Sequence, residues 1–477
     1  MKRRLHVLTI ASALAVTACA SGAPPHVDVY SGAQEWGTPT PVAPIDDHWW
    51  ESFGDARLNA LIAEVQMENP RVLRAAARAD QAQAQARIAG AARWPQLSAG
   101  LGAAKQQQSL AGFPLVDAGG RATSVETHNV GISLNVVWEA DLWGRIAALD
   151  GAAQEDFLAS AENLRAARQS MAAQTAKLYF ATIEAREQLE FAQRTVAALE
   201  ETARQVGDRA DAGVASPTDK FLAIANLETA RAGLRQRSDA YQQSARQLEV
   251  LLGDYPAGQI ATPDVLPDAP PPPPAGAPAD LLARRPDLIA AEKAVRAAGL
   301  RTYAAQRALL PSISLTGSAG RLSSDLSDLL DGDFSVWSIA HQAVQPIFQG
   351  GRLRANVVLS DARQREAVEA YAEATLTAFA EVESALAREA LLAAREASLA
   401  TASKAATEAE RIAYHRYAQG VAPFLTVLES QQRALDTRSA YIAARRQRLE
   451  NRIDLHLALG GGFDASNPGA AASPSSE

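Results

Sequence analysis

The 477-residue sequence predicts a mainly α-helical protein with a smaller β component, arranged as a tandem repeat of long helical hairpins. Residues 352–419 contain no Gly or Pro and are dominated by Ala, Leu, Glu, Gln and Arg, all strong helix formers. As one helix they would reach roughly 100 Å, against the ~8–20 residues of an ordinary globular helix. The same layout occurs earlier, because Gly144 lies 207 residues before Gly351 and Gly213 lies 207 before Gly420. A conserved spacing of this kind marks an internal repeat. Segments of strict apolar–polar alternation interrupt the helical pattern ahead of the long run in each half.

Composition narrows the function. Net charge is −8 with acidic and basic residues intermixed, so there is no basic footprint for nucleic acid. Aromatics are 6% and much of the apolar content is Ala, which favours close helix–helix packing. The seven histidines are scattered, and no metalloprotease motif, phosphate-binding glycine loop or nucleophile elbow is present. No enzyme, cofactor or metal is expected. The single cysteine, Cys19, excludes an intrachain disulfide or a cysteine metal cluster.

Residues 1–18 read as an export signal, with Lys2, Arg3 and Arg4 before an apolar stretch too short to span a bilayer. Val16-Thr17-Ala18-Cys19 resembles the lipobox of bacterial lipoproteins, so cleavage would leave an acylated Cys19. The alternative is an ordinary secretory signal beside an incidental cysteine. Ala20 follows, not the Asp that holds such proteins in the inner membrane. No other stretch offers ~18 consecutive apolar residues. The exported chain is therefore periplasmic, lipid-tethered, or inserted as β-strands.

Residues 19–57 are rich in Pro, Gly and Ser and are expected to be extended. The first repeat, 58–262, opens with a helical stripe of Leu58, Leu61, Ile62 and Val65 that Asn69-Pro70 interrupts and Pro95 ends. A β-hairpin follows at 96–139. Leu97, Ala99, Leu101 and Ala103 lie on one side of its first strand. In its second, Val130, Ile132, Leu134, Val136 and Trp138 alternate with Asn129, Gly131, Ser133 and Asn135. Residues 105–127 are expected to be a long polar loop. A soluble sheet edge is the alternative, but the polar second face suits an aqueous lumen better than a packed core. The long helix spans 144–212, with minor interruptions expected at Gly151 and Gly207. After the Gly213 turn, Ser216 suits the N-cap, Pro217 the first helical position and Asp219 the first turn of a return helix.

Five consecutive prolines lie in a stiff linker at 263–279. The second repeat, 280–460, has a helix to about 310 and a hairpin at 312–348, in which His341 shares a side with Trp337 and Ile339. The long helix 352–419, a turn at Gly420 and a return helix complete it. Residues 461–477 are expected to be a disordered tail.

Four strands cannot close a barrel, and an open edge facing lipid leaves amides unpaired at several kcal/mol each. Two copies would enclose only side chains, whereas three would give a twelve-stranded transmembrane β-barrel with a channel. The long helices would continue it as a periplasmic α-barrel.

The motifs sharpen this. Trp49-Trp50 through Asn69-Pro70, Trp94-Pro95-Gln96-Leu97, Leu142-Trp143-Gly144-Arg145, Arg284-Arg285-Pro286-Asp287-Leu288, Gln345-Pro346-Ile347-Phe348 with Gly350-Gly351-Arg352, and Arg416-Tyr417 to Leu428-Glu429 resemble the outer-membrane efflux protein family. Within that TolC-type family the likeness is to the lipoprotein branch that includes the NodT-like proteins. The resemblance implies a homotrimer, lipid-anchored in the outer membrane, that serves as passive exit duct of a tripartite pump. Its partners would be a periplasmic adaptor protein and an inner-membrane transporter. It also implies a periplasmic gate, for which Asp219, Tyr417 and Glu429 are the candidates by position. Ala422 stands where some members carry a locking Arg, a role left to Arg416 or Arg209. Gly213, Val214, Gly420 and Val421 would meet the adaptor, and the Val130–Ile132–Leu134–Val136–Trp138 row would face lipid. Two other readings remain: a periplasmic adaptor lipoprotein, which would carry one hairpin between split β-domains, and a structural coiled-coil lipoprotein with soluble hairpins.

Overall fold

The computed structural model describes residues 36–37, 48–109, 124–330 and 332–461. The export signal, Cys19 and the tail beyond Gly461 lie outside the described residues. The chain forms two compact units. One comprises residues 80–158 and 292–370, and the other 159–291 and 371–461 with the N-terminal segment up to Ala79.

In chain order the helices are α1 (Ala56–Glu68), α2 (Pro70–Ala91), α3 (Arg145–Asp211), α4 (Pro217–Leu252), α5 (Asp280–Arg284), α6 (Pro286–Arg307), α7 (Arg352–Ala418) and α8 (Phe424–Ala458). The strands are β1 (Gln96–Ser109), β2 (Ser124–Ala140), β3 (Ser312–Ser323) and β4 (Ser335–Val344). The two long helices, α3 and α7, are each 67 residues, as the repeat predicts. Gly151 and Gly207 do not interrupt α3, whose helical hydrogen bonding runs through both.

The first unit is built on one antiparallel sheet, ordered β1-β2-β3-β4. The two hairpins are joined by β2 pairing with β3, with Ser133 opposite Gly320. A Cβ at Gly320 would lie 2.1 Å from the Ile132 carbonyl oxygen, so only glycine permits this approach. The expected loop at 105–127 is shorter than its sequence suggested. Lys105–Ser109 and Ser124–Thr127 are paired strand, held by ladder hydrogen bonds and a Lys105–Glu126 ion pair. β4 ends at Val344, short of residue 348, where the sequence places the end of the second hairpin.

The second unit holds the main apolar core, where Trp49, Phe53, Leu58, Leu61, Ile62, Tyr179, Phe180, Leu248, Ile442 and Ile453 meet. Trp49–Phe53 form a 3-10 helix, so the segment expected to be extended up to residue 57 is folded at its end. Burial of Trp49, which stacks on His456 at 5.5 Å, drives this. Asp55 caps α1 through the Arg57 and Leu58 amides, and its other oxygen accepts from the Tyr179 hydroxyl at 2.7 Å. Burial, then Asp55, pushes that hydroxyl's pKa well above its ordinary value.

Two motifs are structural clamps. Asn69 accepts from the Arg71 amide at 2.7 Å and donates to the Leu251 carbonyl at 2.5 Å, fixing the break between α1 and α2. The helix expected over 280–310 is likewise broken, at Arg285, because Pro286 excludes its predecessor from helical geometry. Buried Arg285 ties the break to Asp287 at 2.7 Å, Glu381 at 2.6 Å and the Ala458 carbonyl at 3.2 Å. The Pro-rich linker is pinned at buried Leu266, whose amide donates to Glu187 and whose carbonyl accepts from Arg445 at 2.5 Å.

Candidate functional site

The candidate sites lie in two places: the sheet in one unit and the paired turns in the other. Directly opposed residues of an antiparallel ladder share a face, so register sorts the sheet into two surfaces. Leu97 opposes Val136, which opposes Gly317, which opposes Ile339. The next row is Ala99, Leu134, Ala319 and Trp337, and the row beyond is Leu101, Ile132, Arg321 and Ser335. Val130, Ile132, Leu134, Val136 and Trp138 thus share one apolar face with Leu97, Leu101, Leu315, Trp337 and Ile339. His341 opposes Leu315, in the Trp138 row, so it lies on that same face at its margin. The other face presents Gln96, Ser98, Asn135, Ser133, Thr316, Ser318, Ser338 and Gln342, with a Ser318–Ser338 hydrogen bond at 2.8 Å. Nine residues from Val130 to Trp138, tilted as barrel strands are, cover roughly 23 Å, close to a membrane's apolar band.

At the turns the repeat carries over to the two closing hydrogen bonds, although Ala215 N also donates to the Arg209 carbonyl at 3.1 Å in the first turn alone. Gly213 has φ 73° and Gly420 φ 75°. Val214 N donates to the Arg209 carbonyl at 2.8 Å and Gly213 N to Ala210 at 3.0 Å; Val421 N donates to Arg416 at 3.0 Å and Gly420 N to Tyr417 at 2.9 Å. Both are Schellman closures, which need the left-handed conformation that glycine adopts without strain. Val214 and Val421 are 67% and 61% exposed, and Phe221 and Leu425, in the opening turns of the helices that follow, are exposed too.

The three gate candidates differ in setting. Tyr417 is buried in a cluster with Val206, Ala223, Ala413, Phe424 and Val427, its ring 5.1 Å from that of Phe424. Its hydroxyl is buried with no hydrogen-bond partner, and burial, then the nearby Asp219 charge, raises its pKa. Asp219 is half-buried in the first turn of α4, and Glu429 is exposed on α8. Ser216 caps α4, accepting from Thr218 N at 3.1 Å, with Pro217 at the first helical position. Arg209 reaches across from α3: its guanidinium lies 5.4 Å from the Tyr417 ring centre and donates to the Ala418 carbonyl at 2.8 Å. Arg416, its counterpart 207 residues on, is exposed. The offset equates the two arginines, but their different settings come from tertiary packing alone. Among the described residues no cluster of three or more His, Cys, Asp or Glu could hold a metal, and no helix is long and apolar enough to cross a membrane.

A two-faced sheet with open edges, joined to a duplicated pair of long helical hairpins, defines a subunit of an outer-membrane channel. The outer membrane efflux protein model matches residues 61–254 and 277–461, and the chain belongs to that family. It is 36% identical to outer membrane protein OprJ of Pseudomonas aeruginosa over 452 residues, covering 93% of this chain and 91% of OprJ. A membrane protein of known structure from Pseudomonas aeruginosa shares 32% identity with a TM-score of 0.82, covering 92% of this chain and 100% of that one. The open-state MtrE outer membrane channel of Neisseria gonorrhoeae shares 30% identity with a TM-score of 0.80, covering 92% and 97%. The chain is an outer-membrane efflux channel protein.

Proposed function

We propose that three copies of this chain close a twelve-stranded barrel in the outer membrane and form the exit duct of a tripartite pump, anchored by an acylated Cys19. The observation that carries this reading is the four-stranded sheet with an apolar face, a polar face and two unpaired edges, β1 and β4. Unpaired amides at those edges cost several kcal/mol each in lipid, so copies are driven to share one ladder. The apolar face, including Val130, Ile132, Leu134, Val136 and Trp138, meets lipid, and the Ser- and Asn-bearing face lines water.

The Gly213–Val214 and Gly420–Val421 turns dock a periplasmic adaptor, through which an inner-membrane transporter supplies cargo and energy. Exposed Val214 and Val421 supply apolar contact there. Asp219 and Glu429, each present three times around the axis, restrict the entrance and favour cations. Tyr417 supports that gate as packing beneath the turn.

The test is cargo accumulation in a deletion strain complemented by wild type or by an Asp219→Ala, Glu429→Ala double variant, with bilayer conductance of both proteins. Both should restore efflux, and the variant should conduct more. Failure of wild type to restore efflux removes the duct reading, and unchanged conductance removes these carboxylates from the gate.

A further inference from the structure

Two of the sequence motifs leave large apolar side chains uncovered in the single chain, although Gln345 of the second donates to the Leu309 carbonyl at 3.1 Å. Trp94 is 72% exposed, Ile347 95% and Phe348 88%, in the segments that lead into β1 and out of β4. Elsewhere in the unit the equivalent segments form a closed joint. There, the segment leading from β2 to α3 meets the segment leading from α6 to β3: the Trp143 indole donates to the Pro311 carbonyl at 2.6 Å, and the Tyr303 hydroxyl donates to the Trp143 carbonyl at 3.4 Å. β2 and β3 are paired, so their helix-side ends are necessarily neighbours.

The repeat carries the comparison further. Pro311 corresponds to Pro95, as Pro286 corresponds to Pro70, and Gly351 corresponds to Gly144. Trp143 therefore corresponds to Gly350, and Leu310 to Trp94. The closed joint has its tryptophan on the strand-to-helix side and leucine on the other. The open segments have glycine on the strand-to-helix side and tryptophan on the other. The bulky ring has changed sides. Within one chain β1 and β4 are opposite edges of the sheet, roughly 14 Å apart at ordinary strand spacing, so these segments cannot meet there as the closed joint does. Antiparallel pairing of β4 with β1 of another copy brings the end of β4 beside the start of β1.

We propose that Trp94 of one copy packs over Gly350 and against Ile347 and Phe348 of the next, closing between subunits the joint that Trp143 and Pro311 close within one. This rests on the shared-barrel reading. It makes the exposed Ile347–Phe348 surface a docking site for a second copy of this chain. An indole there buries large apolar area on both sides.

The test uses two tagged full-length chains co-expressed in one strain, one carrying Trp94→Cys and the other Phe348→Cys. A short bismaleimide is added to membranes. The expected result is a covalent product bearing both tags, absent when either variant is expressed alone. Unheated gels report assembly separately. Trimers without the mixed product overturn this joint but leave the barrel reading intact, whereas loss of trimers in wild type overturns both. If the cysteine variants fail to assemble, Trp94→Phe is read by fluorescence. The difference spectrum should show loss of a blue-shifted, buried indole, and loss of a water-exposed indole overturns the joint.

Discussion

Arg209 donates from Nη1 to the Ala418 carbonyl, 2.8 Å away, and so ties the end of one long helix to the end of the other. The guanidinium also lies over the Tyr417 ring, satisfying a helix-terminal carbonyl and covering an aromatic face with one side chain. Arg209→Ala should cost about 2 kcal/mol locally, since it removes a charged hydrogen bond and a cation–π contact. Hydrogen exchange should quicken at both turns, around Val214 and Val421. Arg416→Ala, at the exposed counterpart, should leave exchange unchanged, and equal effects from the two would show that the bridge does not hold the turns.

Tyr417 can be separated into hydroxyl and ring. Its hydroxyl is buried without a partner, so Tyr417→Phe should be neutral or stabilising by about 1 kcal/mol. Tyr417→Ala opens a cavity beside Phe424 and should cost about 3–5 kcal/mol. Melting of the solubilised protein measures both. Raised conductance in Tyr417→Phe would instead make the hydroxyl a latch.

How much of this was legible in sequence depended on range. The row from Val130 to Trp138 was readable because a strand's period of two is local. The pairing of β2 with β3 was not, because partners such as Ser133 and Gly320 are far apart in the chain and nothing local specifies their register. Residues 105–109 read as loop in sequence because the stretch is polar; the ladder nonetheless runs through them, placing Lys105 and Gln107 on the apolar face's side. Among the gate candidates, position relative to the glycines was visible. The burial of Tyr417 was not, because Arg209 and Phe424 reach it from other helices. Arg285 and Asn69 stood out beside their prolines, yet only the structure shows them clamping distant carbonyls.

Leu134 and Asn135 are adjacent but lie on opposite faces of the sheet. With the apolar face in lipid, Leu134→Lys should cost about 2–4 kcal/mol at the midplane and lower the temperature at which unheated trimers dissociate on gels. Asn135→Lys should leave that temperature near wild type and reduce conductance for cations. The reverse ranking would exchange the two faces.

Glu410 should give the chain a pH dependence whose sign follows from its burial. Burial raises its carboxyl pKa above the ordinary value. Arg194 from α3, Lys404 and Glu408 from α7 and Arg438 from α8 line the same cleft, of about 550 Å³, and the shift has desolvation as its cause. The folded chain therefore holds this proton more tightly than the unfolded chain does. Its contribution is fully present below the unfolded carboxylate value of about 4.3 and is lost as pH rises through the folded value. Glu410→Gln, neutral throughout, should melt higher than wild type at neutral pH, and the difference should shrink on acidification. Melting curves taken from mildly acidic to neutral pH decide it. A gap that stays constant across that range would mean that the stabilisation comes from the amide's packing and that Glu410 carries no titration penalty.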